Sequence, residues 1–262
     1  MRLDRPDVLF LVPALALAAL SGGCSRNAGP DRPTADRATE PPTAAPRRDI
    51  VTTEEPLYSH ANEEIVIRDF FQDRRHGFFL DVGCGLPVQD SNTFYLEERL
   101  GWTGFGVDAL PEFTRKWRRR RPNSRFFNFL VTDHADSVEV FFRAELRVRD
   151  ISSMEKPDKG PGGDTVESEE IQVPTTTLTK LLDDNGVSKV DLLSIDIEGA
   201  EPLALAGFDI DRFRPELACI EAKPRNREAI VKYFADHGYR RIERYQRYDR
   251  TNYYFARDPG TP

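Results

Sequence analysis

The chain has 262 residues, 39% of them hydrophobic and 31% charged, with a net charge of −7. That length suits one domain of about 200 residues plus a tail. The acidic balance argues against a general nucleic-acid binder, and three cysteines advertise no disulfide framework.

Residues 1–24 read as an export signal. Arg2 and Arg5 precede an apolar run over 8–20, broken by Pro13, and Ser21-Gly22-Gly23-Cys24 follows. The run is too short to cross a bilayer as a stable helix and fits the apolar part of a signal peptide. Small residues ending in a cysteine resemble a bacterial lipoprotein cleavage site, which would attach the protein to a membrane at Cys24. A plain signal anchor, or a cytoplasmic protein with a misassigned start codon, are the alternatives. Residues 25–56 are polar and contain Pro30, Pro33, Pro41, Pro42, Pro46 and Pro56. Such a segment buries too little apolar surface to offset its ordering entropy and is expected as a disordered tether. The folded domain is then 57–262.

A helix is expected over 62–71, where Ile65, Val66, Ile67, Phe70 and Phe71 follow a helical pattern. Strand 78–83, helix 92–100, strand 104–108 and a helix from Pro111 come next. That helix ends in Lys116-Trp117-Arg118-Arg119-Arg120-Arg121, read as a solvated terminus favoured by the helix dipole. Contact with an anionic membrane or substrate is its functional alternative. Strands are expected at 125–131, 138–143 and 171–176, with a charged loop at 155–170 that would connect them or lid the substrate. A helix at 178–185 stopped by Gly186, strands at 190–195 and 217–220, and a helix at 227–237 stopped by Gly238 complete the alternation. Residues 239–248 and 252–255 close it as an antiparallel hairpin. This order implies an α/β protein with a doubly wound, mostly parallel sheet.

Two features point to a ligand. Apolar Phe78-Phe79-Leu80 and Val82 run into Gly83-Cys84-Gly85, a turn that lets the backbone approach a ligand without a Cβ in the way. The second strand then ends in Asp108, a carboxylate placed for ribose hydroxyls. The position where a dinucleotide site needs its third glycine is Val88, and no phosphate-cradling Gly-Lys-Ser/Thr loop exists. The site is therefore expected to hold an adenosine ligand lacking a pyrophosphate, for which S-adenosyl-L-methionine is the natural candidate. Asp81, Gly83, Asp108, Asp133, Asp196 and Glu221 all fall at or just past strand ends, where ligands of such sheets bind.

Four blocks in order resemble the FkbM-type methyltransferases. They are residues 58–64 (Tyr-Ser-His-Ala-Asn-Glu-Glu), then Asp81-Val82-Gly83-Cys84-Gly85 with Asp90-Ser91-Asn92-Thr93, then Gly101-Trp102-Thr103-Gly104 leading to Val107-Asp108, and finally Asp196-Ile197-Glu198-Gly199-Ala200-Glu201. The resemblance covers about 57–257, with Cys84 where the family usually has Ala and Asp108 where Glu is commoner. It implies a Rossmann-like class I methyltransferase fold and S-adenosyl-L-methionine as cofactor. The block around His60 packs near the cofactor in that family, which makes His60 a secondary candidate for the base.

Methyl transfer to an alcohol needs acceptor and donor held in line and benefits from a positioned base. Asp196 or Glu198 is expected to face the acceptor, with Glu201 following and Glu221 beside them; capping of the next helix is the competing role for Glu201, and a structural salt bridge for Glu221. Such a cluster also suits a divalent cation that acidifies the acceptor hydroxyl. Asp81, Gly83, Gly85, Asn92, Thr93, Asp108 and Asp133 are the expected cofactor contacts. Capping of the following helix is the competing role for Asn92 and Thr93, and core packing is the expected role of Trp102. The reading is an O-methyltransferase for a hydroxyl on a sugar, glycan or secondary metabolite; the alternative is an exported surface module that keeps the fold without catalysis.

Overall fold

Strands buried on both faces form the middle of the domain. In the computed structural model the described residues are 50, 53, 55–146, 149–150, 152–156 and 166–257. The expected signal, Cys24 and most of the tether lie outside them. The elements run α1 (Glu63–Phe71), β1 (Phe78–Val82), α2 (Phe94–Leu100), β2 (Thr103–Asp108), α3 (Phe113–Arg120), β3 (Ser124–Asn128), β4 (Leu130–Val131), β5 (Val138–Leu146) and β6 (Arg149–Asp150). They continue with β7 (Ser168–Thr176), α4 (Leu178–Asp184), β8 (Leu192–Ile195), α5 (Glu201–Ala206), α6 (Ile210–Phe213), β9 (Leu217–Glu221), α7 (Arg227–Asp236), β10 (Tyr239–Arg241) and β11 (Asn252–Arg257).

The main sheet has seven strands in the order β10-β11-β9-β8-β1-β2-β3. From β9 through β3 every pairing is parallel, and β11 runs antiparallel to both its neighbours. Chain order reverses between β1 and β8, because β1 is followed by β2 on one side and joined by β8 on the other. That reversal is the switch point at which doubly wound sheets open a ligand crevice. Gly83 and Asp196 are the residues that follow these two strands.

Period-two alternation sends each strand residue to one of two helix layers. Leu80 and Val82 of β1 pack with Leu181 and Leu182 of α4, Leu205 of α5 and Phe234 of α7. Phe79 faces the other way, toward Val66 and Ile67 of α1 and Leu96 of α2. Trp102 joins this second cluster fully buried, its indole N–H donating to the Arg74 carbonyl at 2.7 Å, so it serves the core. Ile50, inside the expected tether, is buried in the same cluster.

Three expectations need correction. The strand expected at 125–131 breaks after Asn128, whose side-chain amide donates to the Asp108 and Ala109 carbonyls at 2.9 and 2.8 Å. Residues 130–131 peel away as β4 into a second, four-stranded sheet ordered β4-β7-β5-β6. The expected loop at 155–170 contributes Ser168–Glu170 to β7, which pairs antiparallel with β5 from Val138↔Pro174 to Ala144↔Ser168. The first arm of the closing hairpin is shorter than expected. It stops at Arg241, and a 3-10 turn over Glu243–Arg247 buries Tyr245 against Tyr254. Among the described residues, no helix is long and apolar enough to cross a membrane.

Candidate cofactor and acceptor site

Both glycines of the turn after β1 take left-handed backbone, with φ of 76° at Gly83 and 51° at Gly85. The Gly83 N–H donates to the Val107 carbonyl at 2.8 Å. A Cβ on Gly83 would collide with the backbone carbonyl of Asp196, so the close approach of β1 and β8 requires glycine here. At Gly85 a Cβ would meet nothing within 4 Å; the turn opens onto space. Asp108 aligns this floor: its carboxylate accepts the N–H of Gly85 and of Leu110, each at 2.9 Å. A left-handed glycine turn with open space above it and a carboxylate at its rim fits an adenosine-bearing donor.

The wall of this site is a chain of buried polar groups. Asp81, pointing toward the α2 layer by the same alternation, accepts from the Thr93 hydroxyl at 2.7 Å. Burial raises its carboxyl above the usual range, against the opposing pull of the Thr93 hydroxyl and the Arg121 charge. Asn92 donates to the Ser194 hydroxyl on β8 at 3.2 Å. Neither Asn92 nor Thr93 caps α2. Ser91 does, accepting the N–H of Phe94 at 3.2 Å.

Arg121 holds the wall from behind, and here the expectation of a solvated basic terminus fails for its last residue. Its guanidinium pairs with Glu97 at 2.6 Å and donates to the Pro87 carbonyl at 3.1 Å, the Ser91 hydroxyl at 3.3 Å and the Thr93 hydroxyl at 3.0 Å. The signal was present: Phe113, Trp117 and Arg121 are spaced four apart, which puts all three on one helix face.

At the neighbouring strand ends, Asp196, Glu198 and Glu221 bring one oxygen each within 4.8 Å of one another. Lys223 stands among them, bonded to Glu198 and 3.3 Å from Glu221. Sequence reading missed this lysine, although it lies two residues beyond Glu221, the spacing that keeps a side chain on the same side of a strand. Glu221 is buried, and burial followed by the Glu198 charge raises its pKa, with Lys223 opposing. Asp196 keeps an exposed face yet is crowded by protein. Loss of water, then the charges of Glu221, Glu198 and Glu201, raise its pKa well above the usual range. Since part of the group meets solvent, repulsion by those neighbours is the firmer cause. Three oxygens at this separation suit a hard cation, and Lys223 already supplies one positive charge there.

Glu201 braces the loop instead of reaching the acceptor side. It is fully buried and accepts the N–H groups of Ile197 and Gly199 at 3.1 and 3.0 Å, while Asn226 donates to its other oxygen. Glu198 itself takes left-handed backbone at φ 58°, a conformation unusual for a residue with a side chain. Beside it opens a cavity of about 490 Å³ lined by Met154, Ile197, Glu198, Leu203 and Arg225 among others. Arg225 ties the segment after β6 to this loop, reaching Glu155 at 3.0 Å and the Glu198 carbonyl at 2.9 Å.

Two expected site residues stand apart from this group. His60 is exposed and its ring lies 3.6 Å from Asp90. Asp133 is half-exposed and pairs with His134 at 2.8 Å.

A Rossmann-like sheet with a glycine turn at its switch point and carboxylates beyond the neighbouring strands is the architecture of the S-adenosylmethionine-dependent methyltransferases among other nucleotide-binding proteins. The methyltransferase FkbM domain matches residues 81–241, more than half of the chain, and the protein belongs to that family. No curated protein matches the chain. Among solved structures, it is similar to a TehB-like SAM-dependent methyltransferase from Corynebacterium glutamicum, at 15% identity and a TM-score of 0.39, over 76% of this chain and 89% of the other. It is also similar to a protein from Pyrococcus horikoshii assigned as an RNA methyltransferase, at 12% identity and a TM-score of 0.37, over 75% and 81% of the two chains. The fold assignment rests on the strand order, not on these likenesses.

Proposed function

We propose that the protein methylates a hydroxyl on a sugar, glycan or secondary metabolite in the crevice between β1 and β8. The observation that carries this reading is the double position of Asp196. Its backbone carbonyl packs against Gly83, and the residue itself is exposed just past the end of β8, which supports a carboxyl available to an acceptor in the crevice.

Bound on the glycine turn, S-adenosylmethionine supplies an electrophilic methyl carbon. Gly83 and Gly85 would let the backbone approach it, Asp108 would hold the ribose hydroxyls, and the wall built on Thr93 and Asn92 would fix the methionine end. Asp196 is the group that would take the acceptor's hydroxyl proton, so that the oxygen could receive the methyl group as the donor's S–C bond broke and S-adenosylhomocysteine left. Its raised pKa makes it a stronger base than an ordinary aspartate. Lys223 is bonded to Glu198 and stands against Glu221, offsetting one of their two charges, which leaves Asp196 the carboxylate open to the acceptor. The cavity beside Glu198 is of small-molecule size and receives the body of the acceptor.

Product chemistry tests the hydroxyl assignment. With methyl-labelled donor and a bacterial glycan and lipid extract, label is expected in an ether that survives mild alkali. Label released as methanol marks a carboxyl acceptor, and label on nitrogen marks an amine; either result overturns the reading.

A further inference from the structure

The outer face of α3 carries a concentration of positive charge that folding alone does not explain. Phe113 and Trp117 point into the core, while Arg115, Lys116, Arg118, Arg119 and Arg120 are all exposed. At 100° per residue, Arg115, Arg118 and Arg119 lie on the side opposite the two aromatics, Lys116 flanks that side, and Arg120 comes back toward Phe113 at the exposed end of the helix. None of them forms an ion pair among the described residues. Elsewhere among the described residues the exposed Arg74, Lys189, Arg212 and Arg225 each have a carboxylate partner, whereas Arg75, Arg99, Arg125, Arg214 and Arg250 stand singly without one; α3 differs in gathering five such cations on one helix of eight residues. Glu112, the acid next to α3, is turned away to Arg143 at 2.7 Å.

The arrangement works against the helix itself. Arg115 and Lys116 sit in the first turn, where the positive end of the helix dipole repels cations and no acid is present. Residues 115 and 118, 115 and 119, 116 and 119, and 116 and 120 are like charges three or four apart, each pair unfavourable. A helix dipole accounts for Arg118 to Arg120 at the C-terminal end, but not for the first two.

We propose that this face docks on an anionic lipid surface. The face is convex and presents cations alone. A nucleic-acid reader interleaves aromatic or base-reading side chains among its cations, and both aromatics of α3 are buried. Among the described residues the large exposed apolar ones, Val138, Val140 and Val231, lie on other elements, so attachment through this face is electrostatic. The apolar run at 8–20 on the same chain fits a membrane location.

The test is co-sedimentation of the full chain with phosphatidylcholine vesicles, with and without phosphatidylglycerol. Neutral vesicles read any binding by the N-terminal run. Phosphatidylglycerol is expected to add a component that high salt abolishes. The triple variant Arg115→Gln, Lys116→Gln, Arg119→Gln should lose that component by roughly a hundredfold, at about fivefold per cation near an anionic surface. Its unfolding midpoint should not fall, because the like-charge pairs are relieved. Equal binding to the two vesicle types, or an unchanged triple variant, overturns the proposal. So does a single-stranded RNA oligonucleotide that displaces the protein from vesicles, which would assign the face to nucleic acid.

Discussion

Replacing Arg121 with methionine lowers the stability of the domain by about 3–5 kcal/mol, the cost of removing one member of a buried ion pair. Arg121 has a side-chain exposure of 0% and Glu97 of 3%, so the carboxylate left behind gains no compensating water. In a domain of this size each kcal/mol moves the melting temperature by about 2–4 °C, and thermal unfolding will register the loss. Lysine will not rescue it. The guanidinium fork reaches Glu97, a carbonyl and two hydroxyls at once, and one ammonium cannot. Replacing Glu97 by glutamine in the methionine background should recover part of the stability, because the unpaired charge is gone. Equal destabilisation by Arg121→Lys and Arg121→Met tests the geometric part of this account; full stability of Arg121→Met refutes all of it.

Changing Asp196 to asparagine stops turnover while stabilising the fold. Loss of a positioned base costs about 10²–10⁴ in kcat, and donor affinity should hold, since the donor meets the Asp196 backbone. The stability effect follows from linkage. The folded-state pKa of Asp196 is raised above its unfolded value, so between the two the native state binds the extra proton. The charged form therefore disfavours folding. This penalty is absent below the unfolded pKa, grows as pH rises through the window up to the raised folded value, and is complete above it. Asparagine removes the penalty, so at neutral pH the variant should melt higher than the parent, and the two should converge in acid. The parent's rate should fall as pH drops through a value above an ordinary aspartate's, near 4. Thermal melts and a pH–rate profile of both proteins check this. A variant less stable than the parent at pH 7 contradicts the repulsion among Asp196, Glu198 and Glu221.

The parts of the site built into β1, β2 and β8 were legible because their signals are local. An apolar run ending in two glycines specifies a buried strand and a left-handed turn, and Asp108 and Asp196 each end an apolar strand. What escaped depends on distant partners. Of the second sheet only β5 and β7 were legible, as strands at 138–143 and 171–176, and not as a separate sheet: β4 has two residues, and Val138 and Val140 of β5 face solvent instead of marking a buried face. The short helices α5 and α6 span too few turns for a helical period to emerge. Thr93 sits where a cap is expected, yet Asp81 and Arg121 claim its hydroxyl. Arg121 hides within a basic run whose other members are exposed, and only its spacing from Trp117 betrays it.

Calorimetric titration of the full chain with S-adenosylhomocysteine, beside its Asp108→Asn variant, tests the central claim most directly. The parent should bind, and the variant should bind at least tenfold more weakly, as expected when a charged acceptor of hydrogen bonds worth about 1.5–3 kcal/mol is lost. No heat from the parent, or equal affinity in the variant, would contradict the placement of the donor on this glycine turn.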